Sequence, residues 1–248
     1  MKLLAAAMLV LATTISVAPS AHAETVQELE AKLMVEKPYE APRGRLFDEE
    51  AYFRGELAIN QFTNVVVVNK AAYGSEAQTA RLYINRQLVL KTKVSTGRED
   101  VEYIAPLKGL FRKIFQTKGT SESHWRHTLR GFYGVTRVMD ENYKSGESKV
   151  QMPYAMFFND THGLALHQVP PDLIGGEANG IAALGTRASS GCVRVNKDQV
   201  IQIHDAVVAA DQGQVPVIDS RTGQQVVDQY GRPQTKIGWK TIVIVEEF

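Results

Sequence analysis

From Phe62 to the last residues the sequence runs as short β-rich segments set apart by turns, and this alternation limits the fold more than any other feature. FTNVVVVNK (62–70) is dense in β-branched residues, and ARLYINRQLVLKTKVSTG (80–97) alternates about Asn85-Arg86 as a hairpin does. Further strands are expected in GFYGVTRVM (131–139), PYAMFF (153–158), GLALH (163–167) and the terminal run TIVIVEE, with turn signals at RTG and YGRP before it. Residues 98–131 read as polar and irregular, with Trp125, between His124 and His127, anchoring a loop; 168–187, rich in Gly, Pro and Ala, read as a long loop. One helix is well marked. Asn196 stands at its cap position, Gln199 completes a capping-box-like pair, and Val200, Ile203 and Val207 form its apolar stripe. Regular βαβ alternation is missing, so the expected class is mainly β (α+β): a β-sandwich of mixed sheets with one principal helix.

The first residues are of another kind. In MKLLAAAMLVLATTISVAPSAHAET, Lys2 precedes an apolar stretch from Leu3 to Val17 and a small-x-small site at Ala21-His22-Ala23. That reads as a secretory signal peptide over 1–23, too short for a membrane span, and it implies a periplasmic protein with no membrane anchor after cleavage. Residues 24–58 are expected to form a helical N-terminal extension. Thr25–Glu28 gives a capping box, KPYEAPRGR a connector and DEEAYFRGELA (48–58) a second amphipathic piece; the main domain then covers 59–248. The formal net charge of +1 gives no electrostatic basis for nucleic acid or an anionic membrane as partner.

Cys192 is the only cysteine in the chain. Exported proteins use cysteines chiefly in disulfide pairs, so a lone one is an intermolecular bridge, an inert buried thiol or a reactive site. Its context, ASSGCVRVN (188–196), favours the last. In an extended run Val193 and Val195 take one face, leaving Cys192 and Arg194 together on the other. Ser189, Ser190 and Gly191 before it let backbone N–H groups converge as an oxyanion hole. A thiol needs a base or a positive field, and His167, ending GLALH with Ala165 on its face, is the best base. Arg194 could depress the thiol pKa or hold a substrate carboxylate. Tyr154 and Met156 share a strand face and either line the site or pack in the core; His204 and Asn196 read as structural.

GLALH, then a loop, then SSGCVRV resembles the signature of the L,D-transpeptidase catalytic domain family, also called YkuD. NVVVVNKAAYGSEAQTARLYINRQLVLKTKVSTG and GFYGVTRVMDENYKS with MPYAMFF are similar to its opening hairpin and to the segment leading to the histidine strand, so the likeness covers roughly 62–218. Two departures stand out. Ser190 occupies the place of the family's frequent histidine, and 24 residues separate His167 from Cys192, with Gln168 in place of the common Gly. His162, followed by Gly163, is a second candidate for the family's His-Gly pair.

The resemblance implies an enzyme of peptidoglycan stem peptides with no metal or organic cofactor. Cys192 would form a thioester with loss of D-alanine, His167 would move the proton, and the N–H groups of Cys192, Gly191 and Ser190 would hold the oxyanion. An amine of a second stem would then close a 3→3 cross-link. Transfer to water (an L,D-carboxypeptidase), attachment or release of a wall-linked protein, and a non-catalytic wall-binding module stay open as alternatives.

Overall fold

The computed structural model describes residues 40–104, 122–146 and 149–248. The expected signal segment 1–23 and the helix start at Thr25–Glu28 lie outside them. The chain runs through α1 (Glu49–Arg54), a 3-10 turn (Ala58–Gln61), β1 (Asn64–Asn69), β2 (Thr79–Ile84), β3 (Gln87–Ser95), β4 (Val101–Ile104) and β5 (Glu122–Trp125). Then come β6 (Gly131–Gly134), β7 (Arg137–Val138), β8 (Met156–Asn159), β9 (Leu164–Gln168), α2 (Glu177–Ala182), β10 (Val193–Val195) and α3 (Lys197–Ala210). β11 (Gln212–Pro216), β12 (Thr235–Trp239) and β13 (Thr241–Glu246) end it.

Nine strands form one mixed sheet in the order β6-β13-β1-β2-β3-β10-β9-β8-β7. Within it β1 pairs parallel with β13 and β9 with β10; the other pairings are antiparallel. The β2–β3 hairpin turns at Asn85 and Arg86 with φ of 48° and 65°, the mirror-image turn whose twist suits paired strands. The sheet curls until β6 at one end packs on β8 near the other: the rings of Tyr133 and Phe158 meet with centroids 5.6 Å apart, tilted by 43°.

That curl explains the continuous Val/Ile runs of the central strands. Val66, Val68, Val243 and Val245 face an inner core shared with Met156, Leu164, Leu166, Val193 and Val195. Val65, Val67, Ile242 and Ile244 face an outer core closed by Phe47, Tyr52 and Ile59 of the segment before β1. Both faces are dry, so apolar residues need not alternate with polar ones. α3 plugs the inner side, packing on β1 and β9 through Val200, Ile203 and Val207. Each such side chain contributes about 1.5–3 kcal/mol by leaving water.

Three expectations need correction. The polar stretch 98–131 is not wholly irregular, because β4 and β5 pair antiparallel with Val101 opposite Trp125. The loop 168–187 carries α2, whose Gly180 lies against Val169 and Leu173 with no room for a Cβ. Asn196 does precede α3, but its side chain makes no cap bond, so the capping-box pair with Gln199 does not form.

Candidate active site

The site grows from the parallel ladder of β9 and β10. Val193 and Val195 are fully buried in the inner core, which turns Cys192 and Arg194 to the opposite face. On β9, Leu164 and Leu166 enter the same core, so Ala165 and His167 share the face with Cys192. The register sets Arg194 directly beside His167, and Cys192, two residues before Arg194, lies diagonally from it. Cys192, His167, Arg194, Ser189 and Ser190 line one cavity of about 740 Å³.

His167 is nearly fully buried, and its Nδ1 sits 2.6 Å from the carbonyl oxygen of Gln168. A carbonyl only accepts, so Nδ1 carries the proton and Nε2 keeps its lone pair. Burial, reinforced by the Arg194 charge and opposed by the Gln168 bond, pushes the imidazole down to about 4. The ring is therefore a neutral base at ordinary pH. The Cys192 thiol donates to the Gly163 carbonyl at 3.4 Å. Desolvation raises its pKa, opposed by the Ala165 N–H and by Arg194. Arg194 pulls the thiol downward, in the expected direction, but burial outweighs it. Both groups rest uncharged.

Around the sulfur the backbone is tied. Ser189, itself buried, accepts the Gly191 N–H on its Oγ at 3.1 Å and donates to the Cys192 carbonyl at 2.5 Å. The Gly191 N–H expected in an oxyanion hole is therefore already engaged, which takes it out of the donor set in this geometry. Gly191 has φ of +126°, and a Cβ there would meet Leu164 Cδ2 at 3.0 Å and the His127 carbonyl at 3.1 Å, so only glycine fits. Ser190 is exposed on the cavity wall. Arg194 bonds the Ala188 carbonyl through Nη1 at 3.3 Å, while its buried Nε has no hydrogen-bond partner among the described residues.

Other expected residues lie elsewhere. Met156 is buried in the inner core, on the face of β8 turned from the site, and core packing claims it. The Tyr154 hydroxyl reaches Glu141 Oε2 at 3.1 Å and its ring packs on His204 at 5.3 Å; with φ of 58° it stands outside the strand alternation that suggested it faced the cavity. His204 Nε2 lies 3.1 Å from the Met139 carbonyl, a structural role. His162 sits exposed in a 3-10 turn at the cavity rim, with Nδ1 3.1 Å from Asn159 Oδ1, and partial desolvation lowers its pKa. Sequence reasoning missed Tyr143 and Phe157 in the cavity wall, and placed His127 only in a loop anchored by Trp125. Phe157 was legible as the strand neighbour of Met156 on the opposite face; His127 and Tyr143 arrive through loops and gave no periodic signal. Among the described residues no group of three or more His, Cys, Asp or Glu is arranged to hold a metal ion.

Residues 63–227 match the family model of the L,D-transpeptidase catalytic domain, YkuD. Among solved structures the chain is similar to an L,D-transpeptidase from Xylanimonas cellulosilytica, at 17% identity and a TM-score of 0.40, covering 88% of this chain and 69% of that one. An L,D-transpeptidase from Mycobacterium tuberculosis aligns at 16% identity and a TM-score of 0.41, over 75% of this chain and 58% of that one. The catalytic domain of an E. faecium L,D-transpeptidase aligns at 14% identity and a TM-score of 0.36, over 73% of this chain and 95% of that one. The chain spans less than two thirds of the M. tuberculosis structure. No curated protein sequence matches it.

Proposed function

The chain belongs to the L,D-transpeptidase catalytic domain family, and on that premise we propose that it is an exported, periplasmic enzyme that cross-links peptidoglycan stem peptides 3→3. In this reading residues 1–23 are its signal peptide, 24–58 an extension and 59–248 the catalytic domain. The observation that carries it is the common face of β9 and β10, where the lone thiol and an imidazole with an unprotonated Nε2 line one cavity.

The chemistry follows from the resting charges. With the imidazole near 4 and the thiol held up by burial, a standing thiolate–imidazolium pair is the minor species. The Sγ proton therefore passes to His167 Nε2 as sulfur adds to the carbonyl between the third stem residue and terminal D-alanine. The negative charge formed on the carbonyl oxygen is held by the N–H groups of Cys192 and Ser190. Collapse breaks the C–N bond, His167 returns the proton to the departing amine, and D-alanine leaves a thioester on Cys192. The amine of a second stem then gives its proton to Nε2, attacks the thioester and frees the thiol. Arg194 serves as an anchor for a substrate carboxylate.

Purified protein given a tetrapeptide stem should release free D-alanine, and a second stem should shift product from tripeptide to dimer. Release of D-alanine with tripeptide alone, at any acceptor concentration, would make water the acceptor and the enzyme a carboxypeptidase.

A further inference from the structure

Thr128 is fully buried and sits behind the nucleophile's loop. Its hydroxyl donates to the Gly191 carbonyl at 2.6 Å and accepts the Gly97 N–H at 2.8 Å. Its own N–H donates to Glu99 Oε1 at 3.1 Å, and the other Glu99 oxygen lies 2.7 Å from the buried Lys70 Nζ. Gly97 is packed so closely on this segment that a Cβ would fall 2.3 Å from the Arg126 carbonyl oxygen. Thr128 is thus itself fixed on two sides.

The Gly191 carbonyl and the Cys192 N–H belong to one peptide unit. No peptide bond among the described residues is cis, and in a planar trans unit C=O and N–H point in opposite directions. Pinning the carbonyl inward onto a buried hydroxyl turns the Cys192 N–H outward, to the side where Cys192 and Ser190 line the cavity. On the other side of the residue, Ser189 holds the Cys192 carbonyl and uses up the Gly191 N–H.

Resting on the proposed thioester chemistry, we infer that Thr128 is a positioning residue that aims the Cys192 N–H at the developing oxyanion, with Glu99 and Lys70 holding Thr128 in place. It touches neither substrate nor sulfur. It acts on the transition state through one peptide plane.

The test separates the thiol from the oxyanion. Alkylation of Cys192 by iodoacetamide forms no oxyanion and reads the thiol alone; release of D-alanine from a tetrapeptide stem reads both. Removing one oxyanion donor costs about 10²–10³ in rate, so Thr128→Val, which leaves the plane free to tilt, should lower kcat at least about tenfold with KM little changed. Alkylation should stay within about twofold, because the thiolate fraction is untouched. Thr128→Ser, which keeps the hydroxyl, should restore most of kcat, and this arm holds even if the valine variant fails to fold. Equal D-alanine release by wild type and Thr128→Val overturns the inference, as does a parallel fall in alkylation or a Thr128→Ser variant as slow as the valine one. Wild type that releases no D-alanine brings down the enzymatic reading itself, a different failure from an active wild type indifferent to Thr128.

Discussion

Arg194 on β10 stands directly across a parallel ladder from His167 on β9. One guanidinium thus acts on both partners of the proposed reaction: it helps keep the imidazole uncharged and favours the thiolate over the thiol. For the base the two effects of burial and charge add; for the sulfur they oppose, and burial prevails.

The pH dependence of rate follows from the base. With His167 near 4, kcat/KM should hold level from neutrality to about pH 5 and fall only as the imidazole protonates near 4. An acid limb between pH 6 and 7 would mean an ordinary, solvated histidine.

Stability carries the same signature. Burial pushes His167 down to about 4 in the fold against 6.5 for a solvated imidazole, so as pH falls the unfolded chain binds the proton first. The stabilising contribution is complete above 6.5 and disappears between 6.5 and about 4. Over that window the wild type should lose about 3 kcal/mol more than His167→Gln in urea unfolding. Parallel pH profiles for the two proteins would contradict the buried, neutral ring.

Replacing Arg194 removes a cation from both groups. In Arg194→Gln the acid limb should move to higher pH, since His167 loses a charge that lowers it, and alkylation of Cys192 should also need higher pH. KM should rise if the guanidinium holds a substrate carboxylate. Two unchanged titrations would place the guanidinium outside the site's electrostatics.

A test of the scaffold lies behind the site. The Lys70 side chain is fully buried, with Nζ 2.7 Å from Glu99, 3.7 Å from Glu40 and 4.0 Å from Glu247. Glu247 also meets Arg130 at 2.6 Å and Arg187 at 2.9 Å, tying the C-terminal strand to the loop before Cys192. Lys70→Met takes the close cation from the buried Glu99, while Glu40 and Glu247 keep Arg130, and should cost about 3–5 kcal/mol in urea unfolding. A loss below about 1 kcal/mol would show the pairs to be screened as at an open surface.

The sequence carried what is local. The Asn85-Arg86 turn, the Val200-Ile203-Val207 stripe and the alternation that separates Cys192 and Arg194 from Val193 and Val195 each follow from spacing alone. What it did not carry depends on distant segments. Lys70 reads as a solvated charge until Glu40, Glu99 and Glu247 arrive from far along the chain. Met156 could not be told from a site residue until the curl of the sheet decided which face of β8 is inside. Thr128 gave no signal, because its importance lies in a carbonyl 63 residues away.

The central claim, a thioester on Cys192 made with His167 as base, is tested most directly by the mass of the Cys192-bearing peptide during turnover of a tetrapeptide stem. The account predicts a stem peptide lacking its D-alanine, attached to that cysteine, discharged by an added amine, and missing in Cys192→Ala and His167→Gln. An unmodified peptide throughout turnover, together with undiminished conversion by Cys192→Ala, would contradict it.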